Sequence, residues 1–346
     1  MINKQFCILI AGAVAAATWL TAAPLVKTEI AKDAKWLAHI DMEGVMKSSF
    51  SDIGVAKLKE VVAKANQSKL SIDVDLVLSE IKSFTAYGAS YTESAGTESV
   101  IILKTGNRLQ AIFEGLVAHQ EMEGTESPLK RLEDKPYQTF LLEGELFLAF
   151  PNKNYAIAGK NFDSIEKAYA VIDGKAENID DLDEKLVLNE DAGFFLMVSA
   201  NGINDFKNVP PQARMLQKTK GGQLSIGEDE GEFRANVILT TEGPKISMQL
   251  SQIVRGLLAL ASFTQVENQS MMEVVDSVDV QQGDDFVSLD FRYPVEKLMS
   301  LIGTAMEMMN EHDHGHDNGH GQSTSSISEC MKELGQGQVL AYAGHD

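Results

Sequence analysis

The sequence predicts an α+β protein of two tandem similar halves. Each half is a set of antiparallel hairpins forming a sheet covered by helices, and a disordered C-terminal tail follows. Three observations predict this class. Short alternating apolar runs come in pairs across Gly-containing turns, and helix-period segments separate the pairs. The order strand, helix, hairpin, helix, hairpin, helix occurs twice, with corresponding hairpins roughly 140 residues apart, far beyond a solenoid period. The segment 100–106, Val-Ile-Ile-Leu-Lys-Thr-Gly, is echoed at 237–243, Val-Ile-Leu-Thr-Thr-Glu-Gly, each an apolar strand ending in Gly before an amphipathic run.

Taken in order, residues 36–42 read as a buried strand, and Val55, Leu58, Val61, Val62 and Ala65 as an amphipathic helix. Leu76, Val77 and Ile81 suggest a shorter helix. Residues 84–91 and 99–104 form a hairpin around the turn at 94–97, and Leu109, Ile112, Phe113, Leu116 and Val117 share one helix face. Residues 137–142 and 146–150 make the next hairpin across Glu143-Gly144, the strand 155–158 follows, and Ile165, Ala168, Tyr169 and Ile172 close the half with a helix. Its start lies in 161–164, with Glu166 supplying first-turn negative charge. The acidic segment 173–191 holds the linker.

In the second half, 194–198 is a strand, a short helix falls near 213–218, and 224–226 pairs with 233–239 around Glu228-Asp-Glu-Gly231. The longest helix carries Ile246, Leu250, Ile253, Val254, Leu257, Leu258 and Ala261 on one stripe. Residues 274–280 pair with 286–291, and Leu298, Leu301, Ile302, Ala305 and Met306 define a closing helix.

At 346 residues the chain exceeds what one hydrophobic core usually serves. The expected divisions are 1–23, 24–180, 181–310 and 311–346. Residues 1–23 read as an export signal, with Lys4 ahead of an apolar run from Phe6 to Leu20 and small residues at Ala15 to Ala17 and Ala22-Ala23. The destination is periplasmic or extracellular. The alternative is an uncleaved anchor, because 6–23 carry no charge, although the run is short for a span of about 20 residues. Outside this segment stands one cysteine, Cys330, which excludes an intramolecular disulfide framework. The net charge of −20 excludes nucleic acid and anionic membrane surfaces as partners and favours cations or basic proteins.

The tail holds the one local concentration of metal ligands. His312, His314, His316 and His320 are interleaved with Asp313 and Asp317. Imidazoles with a reference pKa near 6.5 keep a free lone pair at neutral pH, and several on a flexible segment can wrap zinc, nickel or copper(II). No other cofactor is implied. His39, in a buried strand, and His119, at a helix end, read as structural. Ser79-x-x-Lys82 and Lys104-Thr-Gly106 match two signatures of penicillin-binding enzymes. They lie too close together, the third signature is missing between them, and the echo at 240–243 has no lysine. Acid pairs Asp180-Asp181 and Asp284-Asp285 fall in a linker and a turn.

In element order from Trp36 to Asn310 the chain resembles uncharacterised exported bacterial proteins with duplicated α+β halves, a resemblance that implies no activity and no site residues. The expected function is that of an exported, non-enzymatic binding or structural protein of the bacterial cell envelope. The alternative is a periplasmic metal-handling protein that captures zinc, nickel or copper through the tail. A hydrolase with a scattered site ranks below both. Calorimetric titration with zinc, nickel and copper separates the first two: metal handling requires micromolar or tighter binding to the full chain that disappears when it ends at Asn310. Absence of heat in either form ends that reading.

Overall fold

The paired apolar runs assemble edge to edge into one antiparallel sheet, with twelve strands among the described residues. The computed structural model describes residues 24–53, 56, 74–91, 98–123, 128–181, 193–202, 218–264 and 269–313. Its strands are β1 (Trp36–Asp41), β2 (Ile81–Gly88), β3 (Val100–Thr105), β4 (Leu129–Leu132), β5 (Gln138–Leu142), β6 (Leu146–Asn152), β7 (Tyr155–Gly159), β8 (Phe194–Asn201), β9 (Thr219–Asp229), β10 (Glu232–Thr241), β11 (Val278–Gln282) and β12 (Phe286–Pro294). The helices are α1 (Met42–Lys47), α2 (Val74–Ser79), α3 (Leu109–Glu123), α4 (Phe162–Ile172), α5 (Pro244–Thr264), α6 (Gln269–Asp276) and α7 (Val295–Asp313). The chain divides into two compact units, one ending at Leu298 and one running from Met299. The described part of the second is helical throughout.

The sheet order is β11-β12-β10-β9-β8-β1-β2-β3-β7-β6-β5-β4. Its centre is the antiparallel β1–β8 pair, in register from Trp36 opposite Ala200 to Ile40 opposite Leu196. Outward from that seam the halves run in the same succession: β1, β2, β3, β7 on one side and β8, β9, β10, β12 on the other. The echoed segments 100–106 and 237–243 fall on the third strand of each half, and each leads into a helix on the same sheet face.

Alternation places two apolar layers on opposite faces of the first half. Ile40, Ala86, Ile101 and Phe140 face α1, α2 and α3. Leu37, Tyr87, Val100, Ile102 and Ile157 face α4 through Phe162, Ile165 and Ala168. Helix α4 begins as its sequence suggests, with the Asn161 side chain accepting from the Asp163 backbone N–H; its first-turn acid is Asp163, not Glu166. In the second half Val280, Val287 and Leu250 form a smaller cluster with Leu239 and Leu289, on the face that carries Ile40, Leu196 and Ile226.

Several expectations shift. Strand β2 starts at Ile81, which the helical reading of Leu76 and Val77 had absorbed; the helix stops at Ser79 because Ile81 is drawn into pairing with Thr105. Residues 269–276 are helical, so the strand expected from 274 begins only at Val278. Strand β4 was not expected at all. Part of the expected linker is core: Ile179 is fully buried, its N–H donates to the Ile30 carbonyl, and Ala31 bridges Asn178. The expected helices at 55–65 and 213–218 lie outside the described residues.

The N-terminal lead-in is fastened by Glu29, which accepts from the Tyr155 hydroxyl at 2.8 Å and pairs with Lys104 at 3.1 Å. Burial, then that hydrogen bond, pushes the Tyr155 phenol well above its ordinary range; burial does the same to Tyr87. The unfolded chain releases these protons near pH 10 while the folded chain holds them. Stability is therefore full below about pH 10 and falls as pH rises above it. Melting temperatures between neutral and strongly alkaline pH check this; a midpoint flat across pH 10 would contradict it.

Candidate functional site

Two surface features stand out from the packing. The first is a groove of about 580 Å³ on the second half's sheet, lined by Arg234, Asn236, Asp279, Gln281, Asp290 and Arg292 among others. Register explains it. One row across the strands reads Met197, Ser225, Asn236, Asp290, Asp279, and the neighbouring row reads Ser199, Gln223, Ile238, Ser288, Gln281. The same sheet face in the first half is apolar and packed by α4. Here polar side chains satisfy one another: Asn236 Nδ2 donates to Asp290 Oδ1 at 2.9 Å, Gln281 Nε2 to Asp279 Oδ2 at 2.9 Å, and Arg234 pairs with Asp229 at 3.6 Å while lying over the Phe194 ring.

The row continues inward to His39, which faces Met197 on β8 and bonds Thr85 Oγ1 through Nδ1 at 2.9 Å. Three strand spacings, about 14 Å, separate His39 from Asn236. Proton transfer between these groups would require direct or single-water contact, which this separation denies.

The second feature is α5. Its sequence, PKISMQLSQIVRGLLALASFT, contains no acidic residue in a chain with 50 of them. At about 100° per residue the expected stripe from Ile246 to Ala261 spans an arc of roughly 140°, and Leu260 and Phe263 widen it to roughly 220°. A sheet cannot cover so wide an arc, and the stripe splits. Leu250, Val254 and Leu258 turn inward against Val280, Val287 and Leu289. Ile253, Leu257, Leu260 and Phe263 turn outward, the last three 61%, 59% and 77% exposed, with Met248 also exposed.

The inward face is firmly held. The Ser247 hydroxyl donates to the Asp284 carbonyl at 3.2 Å and shares a hydrogen bond with Thr241 Oγ1 at 2.7 Å, and Arg255 donates to the Val280 carbonyl. By length and composition, residues 244–263 could cross a membrane, yet only 17% of their most apolar stretch is buried. An apolar helix in the interior of a soluble protein is buried all round. This one is apolar on two sides and packed on one.

Of the residues singled out in the sequence, His312 and Asp313 close α7, while His314, His316, Asp317 and His320 lie outside the described residues. Among the described residues no three His, Cys, Asp or Glu side chains gather around a common point. Lys104, part of the apparent catalytic signature, is engaged with Glu29, and the Ser79 hydroxyl donates to the Leu76 carbonyl within its own helix. Gly106 has a structural reason: a Cβ there would lie 2.2 Å from Glu80 Oε2, where the buried Glu80 carboxylate accepts from the Arg108 backbone N–H at 3.2 Å and Nε at 2.7 Å. Gly243, its echo, meets nothing and is instead needed for a φ of 146°. Sequence reading placed Ile253 and Leu257 on one stripe with Leu250, Val254 and Leu258; it missed that these two face outward, and it missed Leu260 and Phe263 altogether.

No family model matches the chain, and no curated protein matches it significantly. Among solved structures, crystal forms of TP0453 match over most of the chain. Crystal form III superimposes with a TM-score of 0.46 at 10% identity over 82% of this chain and 99% of that one. Form I gives 0.45 at 9% identity over 82% and 98%, and form IV 0.43 at 10% over 82% and 97%.

Proposed function

We propose that this protein is an exported, non-enzymatic docking protein of the bacterial cell envelope, in which the doubled sheet is a rigid frame and α5 is the contact surface. The observation that carries the reading is the outward stripe Ile253, Leu257, Leu260 and Phe263, held in place by an inward face that is already packed. A contiguous exposed apolar patch rimmed by polar residues marks an interaction surface. Two further features support it: the apolar leader at 1–23, and the polar groove, whose side chains bond to one another and converge on no reacting centre.

Fractionation of bacteria expressing the full tagged chain tests the reading. The wild type is expected in the envelope fraction and resistant to washing with high salt, since an apolar contact is not screened. The triple variant Leu257→Asn, Leu260→Asn, Phe263→Asn is expected in the soluble exported fraction. A wild type that is itself soluble, or a triple variant that stays with the envelope, overturns the docking role of α5.

A further inference from the structure

We infer that the occupant of the α5 face is a zwitterionic lipid surface, on which the helix lies flat with Ile253, Leu257, Leu260 and Phe263 turned into the boundary between headgroups and acyl chains. The inference rests on the docking role of α5 and names what it docks to.

Length comes first. From Ile253 to Phe263 the outward stripe runs about 15 Å along the axis at 1.5 Å per residue. It is carried on a continuous helix of 21 residues. Aliphatic side chains and one Phe make it up, with no acid anywhere on the helix and only Lys245 and Arg255 as cations. An interfacial helix needs such an apolar face beside a polar flank. Gln252 stands at the Phe263 edge of that face, and Lys245 and Gln249 continue the same side toward the N-terminal end as its polar flank.

A flat orientation follows from the packing. Crossing the bilayer would require the inward side to leave the sheet, stripping Leu250 from Val280 and Val287 and exposing the Ser247 hydroxyl with its partners Asp284 and Thr241. Lying in the boundary costs none of these contacts. The outward side chains then gain burial of about 5–10 Å depth without any change in fold.

A second copy of the chain fits less well. One helical stripe presents a few hundred Å², against the about 800 Å² per partner that a stable protein interface buries. Each copy also carries a net charge of −20, so pairing sets two like-charged bodies together. The same charge selects among lipids. A neutral zwitterionic surface does not repel the acidic body, whereas an anionic one does.

Flotation of the purified full-length exported chain with phosphatidylcholine vesicles, and with vesicles containing phosphatidylglycerol, tests the inference. Beside it, a Leu260→Cys, Cys330→Ser variant carries a polarity-sensitive fluorophore at position 260. Flotation with phosphatidylcholine vesicles is expected, with a blue shift of the fluorophore and quenching by lipids brominated in the upper acyl chain. Each outward side chain replaced by Asn should weaken the apparent partitioning by about tenfold. The single variant Leu260→Asp, at a position already 59% exposed, keeps the test open if the triple variant fails to fold. Failure of the wild type to float, equal flotation of Leu260→Asp, or binding only to phosphatidylglycerol vesicles overturns the lipid assignment. So does a dimer in sedimentation that Leu260→Asp returns to monomer. If vesicles are not bound but envelope association still depends on the α5 face, docking stands and its occupant is a protein.

Discussion

Truncating Phe140 to alanine is expected to lower stability by about 3–5 kcal/mol, the usual cost of removing a fully buried Phe from a core. Phe140 sits on β5 with no exposed surface, and its ring meets those of Phe113 on α3 and Phe150 on β6, each with centroids 5.9 Å away. Phe113 and Phe150 also touch each other at 5.8 Å, so the three rings form a closed set. These neighbours come from one helix and one adjacent strand, both packed on the sheet, which limits how far the site can collapse. Urea unfolding followed by circular dichroism measures the loss. A change below about 1.5 kcal/mol would mean that the cluster collapses around the truncation.

Gly227→Ala is the second, and it works through the backbone. A Cβ at 227 would stand 1.8 Å from the Gly193 carbonyl oxygen and 2.7 Å from Phe194 Cα. Main-chain atoms cannot rotate away as a side-chain tip can, so β8 and β9 must separate where the register already shifts between Phe194 and Leu196. A loss on the order of 3 kcal/mol or more is expected. The same substitution at Gly256, on the open side of α5 with nothing near its Cβ, is expected to stabilise by up to about 1 kcal/mol through helix propensity. Thermal unfolding of the two variants should therefore move in opposite directions. Similar midpoints for both would contradict the close approach at Gly227.

The order of elements was legible because alternation and helical period are local properties of the chain. What the sequence hid depends on neighbours. Strand β4 reads Leu129, Lys130, Arg131, Leu132, an edge strand with two exposed basic residues in the middle and too little alternation to notice. Val274 and Val275 look like strand residues by propensity, yet α6 takes them because it packs beside α5 and β11. The polar rows from Ser199 to Gln281 and from Ser225 to Asp279 exist only across five and four strands, so no window along the chain contains them. On α5, periodicity identifies the apolar arc, but which part meets the sheet is decided by Val280 and Val287, some 30 residues further on. The echo of 100–106 at 237–243 pointed to like architecture, while the reasons for its two glycines, the Glu80 carboxylate in one and a positive φ in the other, needed three dimensions.

The β1–β8 seam bears on the order in which this chain can complete itself. Strand β1 finds β2 within a short stretch, but its other edge waits for residues 196–200, a closure across more than a hundred residues and slow for that reason. Until then the backbone of β1 from Trp36 to Ile40 offers unpaired N–H and carbonyl groups to any extended segment that passes. Newly made first halves are thus the species most open to mispairing with one another, and β8, more than any other strand, acts as the chain's own chaperone for that edge.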